Sequence, residues 1–213
     1  MALTDDAGEA GARIGPNAII QLGAALQASL GSSATRGLFG RAGLECYLDE
    51  PPGRMVDERE VIHLHALVRE TLAPSLAQRI AGHAGSATGD YLLQHRIPKP
   101  AQRLLRLMPR RIASRLLVAA IARNAWTFQG SGRLRAMAGI TPTFILEDCA
   151  ICRGARAARP LCGYYAATFE RLFRRLVDPS ATVIETECAA VADGQCRFEV
   201  HWGLTPRAAR PIG

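Results

Sequence analysis

Apolar residues recur at helical spacing from early in the chain. In "NAIIQLGAALQASL" Ile19, Leu22, Leu26 and Leu30 share a side, Pro16 sits where a first turn tolerates it, and Gly31–Ser32 makes a stop. A shorter helix is expected over Thr35–Leu48, ended by "DEPPG". From Asp57 a third carries Val61, Leu64, Leu67, Val68 and Leu72, with acidic residues in its first turn that suit the helix dipole. Pro74 breaks it, a continuation reaches His83, and "GSATGDYLLQHRIPKP" reads as a break with a short turn. Over 100–125, six arginines interleave with Leu104, Leu107, Met108, Ile112, Leu116, Val118 and Ile121, and Pro109 splits the stretch in two. This pattern predicts a solvated arginine face over a buried apolar stripe, with a membrane-surface or partner-docking helix as the alternative.

The period changes after Ala125. "AWTFQGSGRLRAMAG" and "TPTFILEDC" alternate as two strands around Gly130 and Gly139. "YYAATFERLFRRLV" places Tyr165, Phe169, Leu172, Phe173 and Leu176 on one helical face, and strands over Thr182–Val191 and Gln195–Trp202 follow. Helices followed by strand–strand–helix–strand–strand predict an α+β fold with an antiparallel sheet. The expected layout is a disordered leader over 1–15, a mainly helical part over 16–125, the strand-rich part over 126–204 of the same domain, and a tail over 205–213.

The formal charge of +7 invites an acidic partner, but Lys99 is the only lysine and the excess is arginine. Aromatic residues are few and scattered, and no nucleic-acid-reading motif occurs, so nucleic acid is not expected as a partner. The amino-terminal stretch has no basic flank or apolar run, which points to a cytoplasmic protein. In that setting Cys46, Cys149, Cys152, Cys162, Cys188 and Cys196 suggest thiol or metal chemistry more than a disulfide framework.

In "IETECAAVADGQCRFEV" a three-residue Ala192–Asp193–Gly194 loop would set Ala190 opposite Cys196 and Cys188 opposite Phe198, with both sulfurs on one face. Cys162 precedes a helix whose positive end favours thiolate, the form that binds zinc. Three sulfurs need a fourth ligand, for which Glu185, Glu187, Cys149 and Cys152 are all available; buried structural cysteines are the simpler alternative. Cys149 and Cys152 form a CxxC, a weak signal without a thioredoxin-type context.

"RPLCGYYAATFERLF" and "VIETECAAVADGQCRFEV", with the gap between them, resemble the 4-vinyl-reductase domain family. Its relatives include ligand-sensing modules of aromatic-responsive activators and, more distantly, haem-based NO sensors. The resemblance implies a structural zinc on Cys162, Glu185, Cys188 and Cys196, and a homodimer. The upstream stretch "TGDYLLQHRIPKPAQRLLRLMPRRIASRLLVAAIARNAWTFQGSG" is similar to a bacteriochlorophyll-biosynthesis branch of the family, except that Asn124 stands where a histidine is expected. That branch implies work on chlorophyll precursors, beside biosynthetic enzymes and peripheral to the photosynthetic membrane.

The family name implies reduction of a vinyl group, which needs an electron or hydride source. No GxGxxG opens a helix after a strand, no iron–sulfur cysteine pattern occurs, and zinc is redox-inert. A binding module suits the chain better: a carrier of a Mg-tetrapyrrole, either a Mg-porphyrin or a chlorophyllide intermediate. His95, His65 or His63 would ligate Mg, and Arg96, Arg103, Arg106, Arg110 and Arg111 would pair with carboxylates. Trp126, Phe128, Phe144, Tyr165 and Tyr91 would line the pocket. The alternatives are a vinyl reductase and a docking partner of a biosynthetic enzyme.

Overall fold

The computed structural model describes residues 11–192 and 194–203. Most of the expected leader (residues 1–10), the 205–213 tail and Asp193 of the expected hairpin loop lie outside the described residues. Within the last part of that leader, β1 (Arg13–Ile14) pairs antiparallel with β2 (Val56–Asp57), burying Ile14 and Val56.

Helix α1 (Asn17–Leu30) buries Ile19, Leu22 and Leu26, as its spacing requires. The next segment forms two helices, α2 (Ser32–Arg41) and α3 (Cys46–Asp49), where the sequence pattern predicts one. Gly43 adopts φ 72° there. Its amide donates to the Gly40 carbonyl at 3.0 Å and that of Leu44 to Phe39 at 2.8 Å, the bond pattern of a Schellman stop. Helix α4 (Glu58–Thr71) is capped by Asp57, whose carboxylate accepts from the Arg59 amide.

Helix α5 (Pro74–His95) runs unbroken through "GSATGD", against the expected stop. The reason is packing against α8 (Gly163–Leu176). A Cβ on Gly85 would overlap the Tyr164 carbonyl oxygen, and one on Gly89 would lie 2.6 Å from the Arg171 Cβ. These glycines cost helix propensity and in return let the two helices approach closely. Thr168 Oγ1 donates to the Gly85 carbonyl at 3.0 Å, and Arg171 grips Asp90 at 2.8 and 2.9 Å along the same seam.

Pro109 separates α6 (Lys99–Leu107) from α7 (Arg110–Arg123) as expected. The buried apolar stripe is only half there. Helix α7 buries Leu117, Val118 and Ile121, but Leu104, Leu107, Ile112 and Leu116 face solvent, Leu107 at 85% exposure. Helix α6 is anchored mainly by Gln102, its one buried residue, whose amide donates to the carbonyls of Leu93 and Ile97.

Four antiparallel strands follow: β3 (Arg133–Met137), β4 (Thr143–Glu147), β5 (Thr182–Glu187) and β6 (Gln195–His201), in the order β3-β4-β6-β5. Trp126 lies in a 3-10 turn ahead of β3 and not in a strand. The alternating inward residues Cys196, Phe198 and Val200 of β6 are buried, and α8 crosses the sheet with Phe169 stacked on Phe144 at 4.4 Å. The architecture is α+β, with α8 joining the helical layer to the antiparallel sheet. Among the described residues no helix is long and apolar enough to cross a membrane.

Candidate functional site

Five of the six cysteines converge where the sheet meets the start of α8. Asp148, at φ 52°, turns the chain after β4 so that Cys149 and Cys152 enter one tight turn, the Cys152 amide donating to the Cys149 carbonyl at 3.2 Å. Cys162 is the residue before α8, where its backbone carbonyl accepts from Tyr165 and Ala166. Cys196 is the second residue of β6.

Cys188 reaches the group by a different route from the expected hairpin. Glu185, not Cys188, stands opposite Phe198, and a bulge between Glu185 and Glu187 ends β5 before Cys188. The connection then turns on the Cys188 carbonyl, which accepts from Val191 and Ala192. The bulge spends one residue and so brings Glu185 and Cys188 to the same cluster, which the three-residue loop would not do.

Two overlapping sets of four donors result: Cys149, Cys152, Cys162 and Cys196; and Cys162, Glu185, Cys188 and Cys196. Within each set the ligand atoms all lie within 4.8 Å of one another. Cys149 and Cys162 are 3.5 Å apart at sulfur, Cys152 and Cys196 3.4 Å, and Cys162 and Cys196 3.6 Å. Tetrahedral zinc with Zn–S of about 2.3 Å spaces its sulfurs by roughly 3.8 Å. Backbone amides already point at the ligands: Leu161 N–H at Cys188 Sγ (3.4 Å), Ala189 N–H at Cys196 Sγ (3.5 Å) and Cys162 N–H at Glu185 Oε2 (2.8 Å).

The electrostatics of the bare donors are in conflict. Burial and the neighbouring Cys188 charge push the Glu185 carboxyl up to about 9, and its Oε1 is buried with no hydrogen-bond partner. Burial also drives the Cys162 thiol upward, and the neighbouring Cys149 thiol raises Cys152. The neighbouring thiols, Cys152 foremost for Cys188 and Cys149 foremost for Cys196, pull Cys188 and Cys196 down. Charge on this many buried donors needs a cation. The donor set, its spacing and the orphaned Glu185 oxygen therefore fit a thiolate-rich ion of the zinc type, held by protein ligands alone as in structural sites.

The residues suggested for a tetrapyrrole lie in separate places. Phe128, Phe144 and Tyr165 come together around Phe169, with Tyr165 Oη donating to the Phe128 carbonyl at 2.7 Å. His65 is buried, its Nε2 3.2 Å from the Ala18 carbonyl, and burial pulls its pKa down to about 3, so it stays neutral. His63 is exposed on α4; His95 and Arg96 are exposed at the end of α5, the His95 ring 4.7 Å from that of Tyr91. Arg103 is exposed on α6, and Trp126 is 61% exposed. Asn124 turns its amide back onto the Ala120 carbonyl.

An open cleft of about 360 Å³ lies between α7 and the β3–β4 turn, lined by Arg110, Arg111, Ser114, Arg115, Ile140 and Trp202. The Arg110 guanidinium stands 5.3 Å over the Trp202 ring and pairs with Asp178 at 3.0 Å. Ser114 Oγ is buried with no hydrogen-bond partner, and Ile140 is 91% exposed. Arg110 and Arg111 are among the arginines the sequence suggests. Ser114, Arg115, Ile140 and Trp202 are not, because nothing in their spacing links α7 to the β3–β4 turn and the end of β6.

Residues 142–202 match the model of the V-4-R (4-vinyl-reductase) domain. The chain is 43% identical over 188 residues to the bacteriochlorophyll synthase 23 kDa chain of Cereibacter sphaeroides, covering 88% of this chain and 90% of that one. It is 40% identical over 189 residues to the protein of the same name from Rhodobacter capsulatus, covering 89% and 87%. Among solved structures, one determined to probe the function of haem distortion in the H-NOX family aligns with a TM-score of 0.57 at 12% identity, over 90% of this chain and 96% of that one. A Cs H-NOX variant carrying 4-cyano-L-phenylalanine aligns at 0.56 and 13% identity, over 90% and 97%. At such identities the likeness concerns the fold alone.

Proposed function

Starting from the fact that this chain belongs to the family of bacteriochlorophyll synthase 23 kDa chains, we propose that it carries a Mg-tetrapyrrole for the biosynthetic enzymes. The ligand is a Mg-porphyrin or chlorophyllide-type intermediate, and the protein acts as an accessory chain that binds it and hands it on. The observation that carries this reading is the α7 cleft. It combines an indole, an exposed isoleucine, three arginines and an unsatisfied buried hydroxyl, which suit a planar apolar ring with carboxylates at its edge. An open cleft of this size takes one edge of a macrocycle and leaves the rest available for transfer.

Two further observations support the reading. One fold neighbour was solved to probe haem distortion, and haem is a tetrapyrrole. Beside the cleft, the exposed Leu104, Leu107, Ile112 and Leu116 with the arginines of α6 and α7 form a basic and apolar face, suited to docking on an enzyme chain at the membrane surface. The three histidines that the sequence suggests as Mg ligands then divide: His65 is committed to the core, whereas His95 and His63 remain exposed and open to a ligand. The Cys162, Glu185, Cys188 and Cys196 set would hold a structural zinc that ties the β5–β6 end to α8 and supplies no redox chemistry.

The test is a titration with Mg-protoporphyrin and protochlorophyllide, with and without NADPH or reduced ferredoxin. The carrier reading expects a saturable Soret shift with no reductant consumed. Conversion of divinyl substrate to monovinyl product by this chain alone would establish the reductase instead. No pigment binding, with recovery of an enzyme subunit in pull-down, would leave a docking partner.

A further inference from the structure

We propose that the cysteine cluster is a two-ion centre in which Cys162 and Cys196 bridge. One ion is held by these two with Cys149 and Cys152, the other by the same two with Glu185 and Cys188. This rests on the reading that the Glu185-containing set binds metal, and adds a second ion on the CxxC turn.

The two sets share two sulfurs, and each set by itself has the compactness of a four-coordinate site. A thiolate keeps enough lone pairs to bind two ions at once. A single ion fills four positions and leaves two buried donors behind in either arrangement. Placed on the CxxC set, it strands Cys188 and Glu185, whose Oε1 has no partner among the described residues. Placed on the Glu185 set, it strands Cys149 and Cys152, only 1% and 2% exposed, with their sulfurs 3.5 and 3.4 Å from ligands Cys162 and Cys196. Two ions satisfy all six donors, each thiol giving its proton to solvent as the metal binds. Negative charge still exceeds that of two divalent ions. Arg69, half-buried nearby with its guanidinium on the Ile151 carbonyl at 2.7 Å and in the field of Cys162, Cys152 and Cys149, offsets part of that excess.

The surroundings make the two positions unequal. A cavity of about 330 Å³ opens over the CxxC side, lined by Cys149, Cys152, Asp148, Arg153, Ala155 and Ala189, and gives that ion a route to solvent.

The experiment is metal analysis of zinc-loaded protein, paired with cadmium-113 NMR of the cadmium-substituted protein. Two ions per chain are expected, with two cadmium resonances split by coupling through the shared thiolates. Cys149→Ser/Cys152→Ser should retain one ion and a single unsplit resonance. One ion in the wild type overturns the two-ion centre, whether or not the double variant keeps it, and leaves the single-ion reading standing if Cys188→Ser abolishes binding. No ion, or iron in its place, overturns both readings. If the double variant fails to fold, the wild-type cadmium spectrum decides alone: a coupled pair supports the centre and one resonance refutes it.

Discussion

The cysteine end of the molecule and the α7 cleft are built on opposite terms. At the cysteine end, metal-binding donors are turned inward, with Cys162 and Cys196 fully buried beside the unpartnered Glu185 Oε1. At the cleft and beside it, apolar side chains that belong inside are turned out, Ile140 at 91% and Leu107 at 85% exposure. Burying a donor is unfavourable unless something binds it, and exposing a large apolar side chain is unfavourable unless something covers it. Each region thus presents groups that a partner would cover: an ion in one case, a ligand or a protein surface in the other. The difference lies in what the partner does. On the proposed reading the metal would complete the fold, while the cleft's partner would come and go.

That contrast can be broken in several places. The largest effect is expected from Cys188→Ser, which should lose metal and lower the thermal midpoint by on the order of 10 °C, since structural zinc contributes several kcal/mol. Differential scanning calorimetry with metal analysis checks it, and a variant as stable as the parent would reduce the cysteines to packing. Next comes the seam that joins the regions. Gly85→Ala drives a Cβ into the Tyr164 carbonyl and should cost about 3 kcal/mol in urea unfolding, at the upper end for overpacking, because the obstacle is backbone. A neutral result would mean that α5 and α8 can part without loss.

Acid should separate the helical core from the metal end. Burial holds His65 neutral, with its pKa at about 3. Unfolded histidine protonates near pH 6.5, so the unfolded chain binds the extra proton between these values. The neutral ring's contribution is therefore full above about pH 6.5 and is lost as pH falls toward 3, at up to about 1.4 kcal/mol per pH unit. In metal-free protein, His65→Gln should flatten this limb in urea titrations across pH. An unchanged limb would assign the acid sensitivity elsewhere.

Much of the fold was legible because it rests on local periodicity: α1, α4, α7 and α8 fall where their apolar spacing puts them. The unbroken α5 was not, because Gly85 and Gly89 weaken a helix considered alone and make sense only against Tyr164 and Arg171. The cluster was legible in part for a related reason. The positions of Cys162, Glu185, Cys188 and Cys196 matched a family pattern, although the register that unites them depends on a bulge no local signal marks. Cys149 and Cys152 were visible as a CxxC, but only the pairing of β4 with β6 carries them to Cys196. The cleft was the least legible. Arg110 and Arg111 were suggested by the sequence, but Ser114, Arg115 and Trp202 carry no signal there, and two of the aromatic residues that the sequence suggests for a pocket, Phe144 and Tyr165, pack in the core.

The smallest effect on stability should come from the cleft itself, and it bears most directly on the division between a metal that completes the fold and a ligand that visits. Arg111→Glu/Arg115→Glu should leave the metal content unchanged and stability within about 0.5 kcal/mol, as exposed substitutions do. The decisive measurement is a Soret-monitored titration of metal-loaded wild type and this variant with Mg-protoporphyrin. The account predicts saturable binding by the wild type and at least about tenfold weaker binding by the variant, a difference of roughly 1.4 kcal/mol. Equal affinity in the two proteins, or no binding by either, would contradict it.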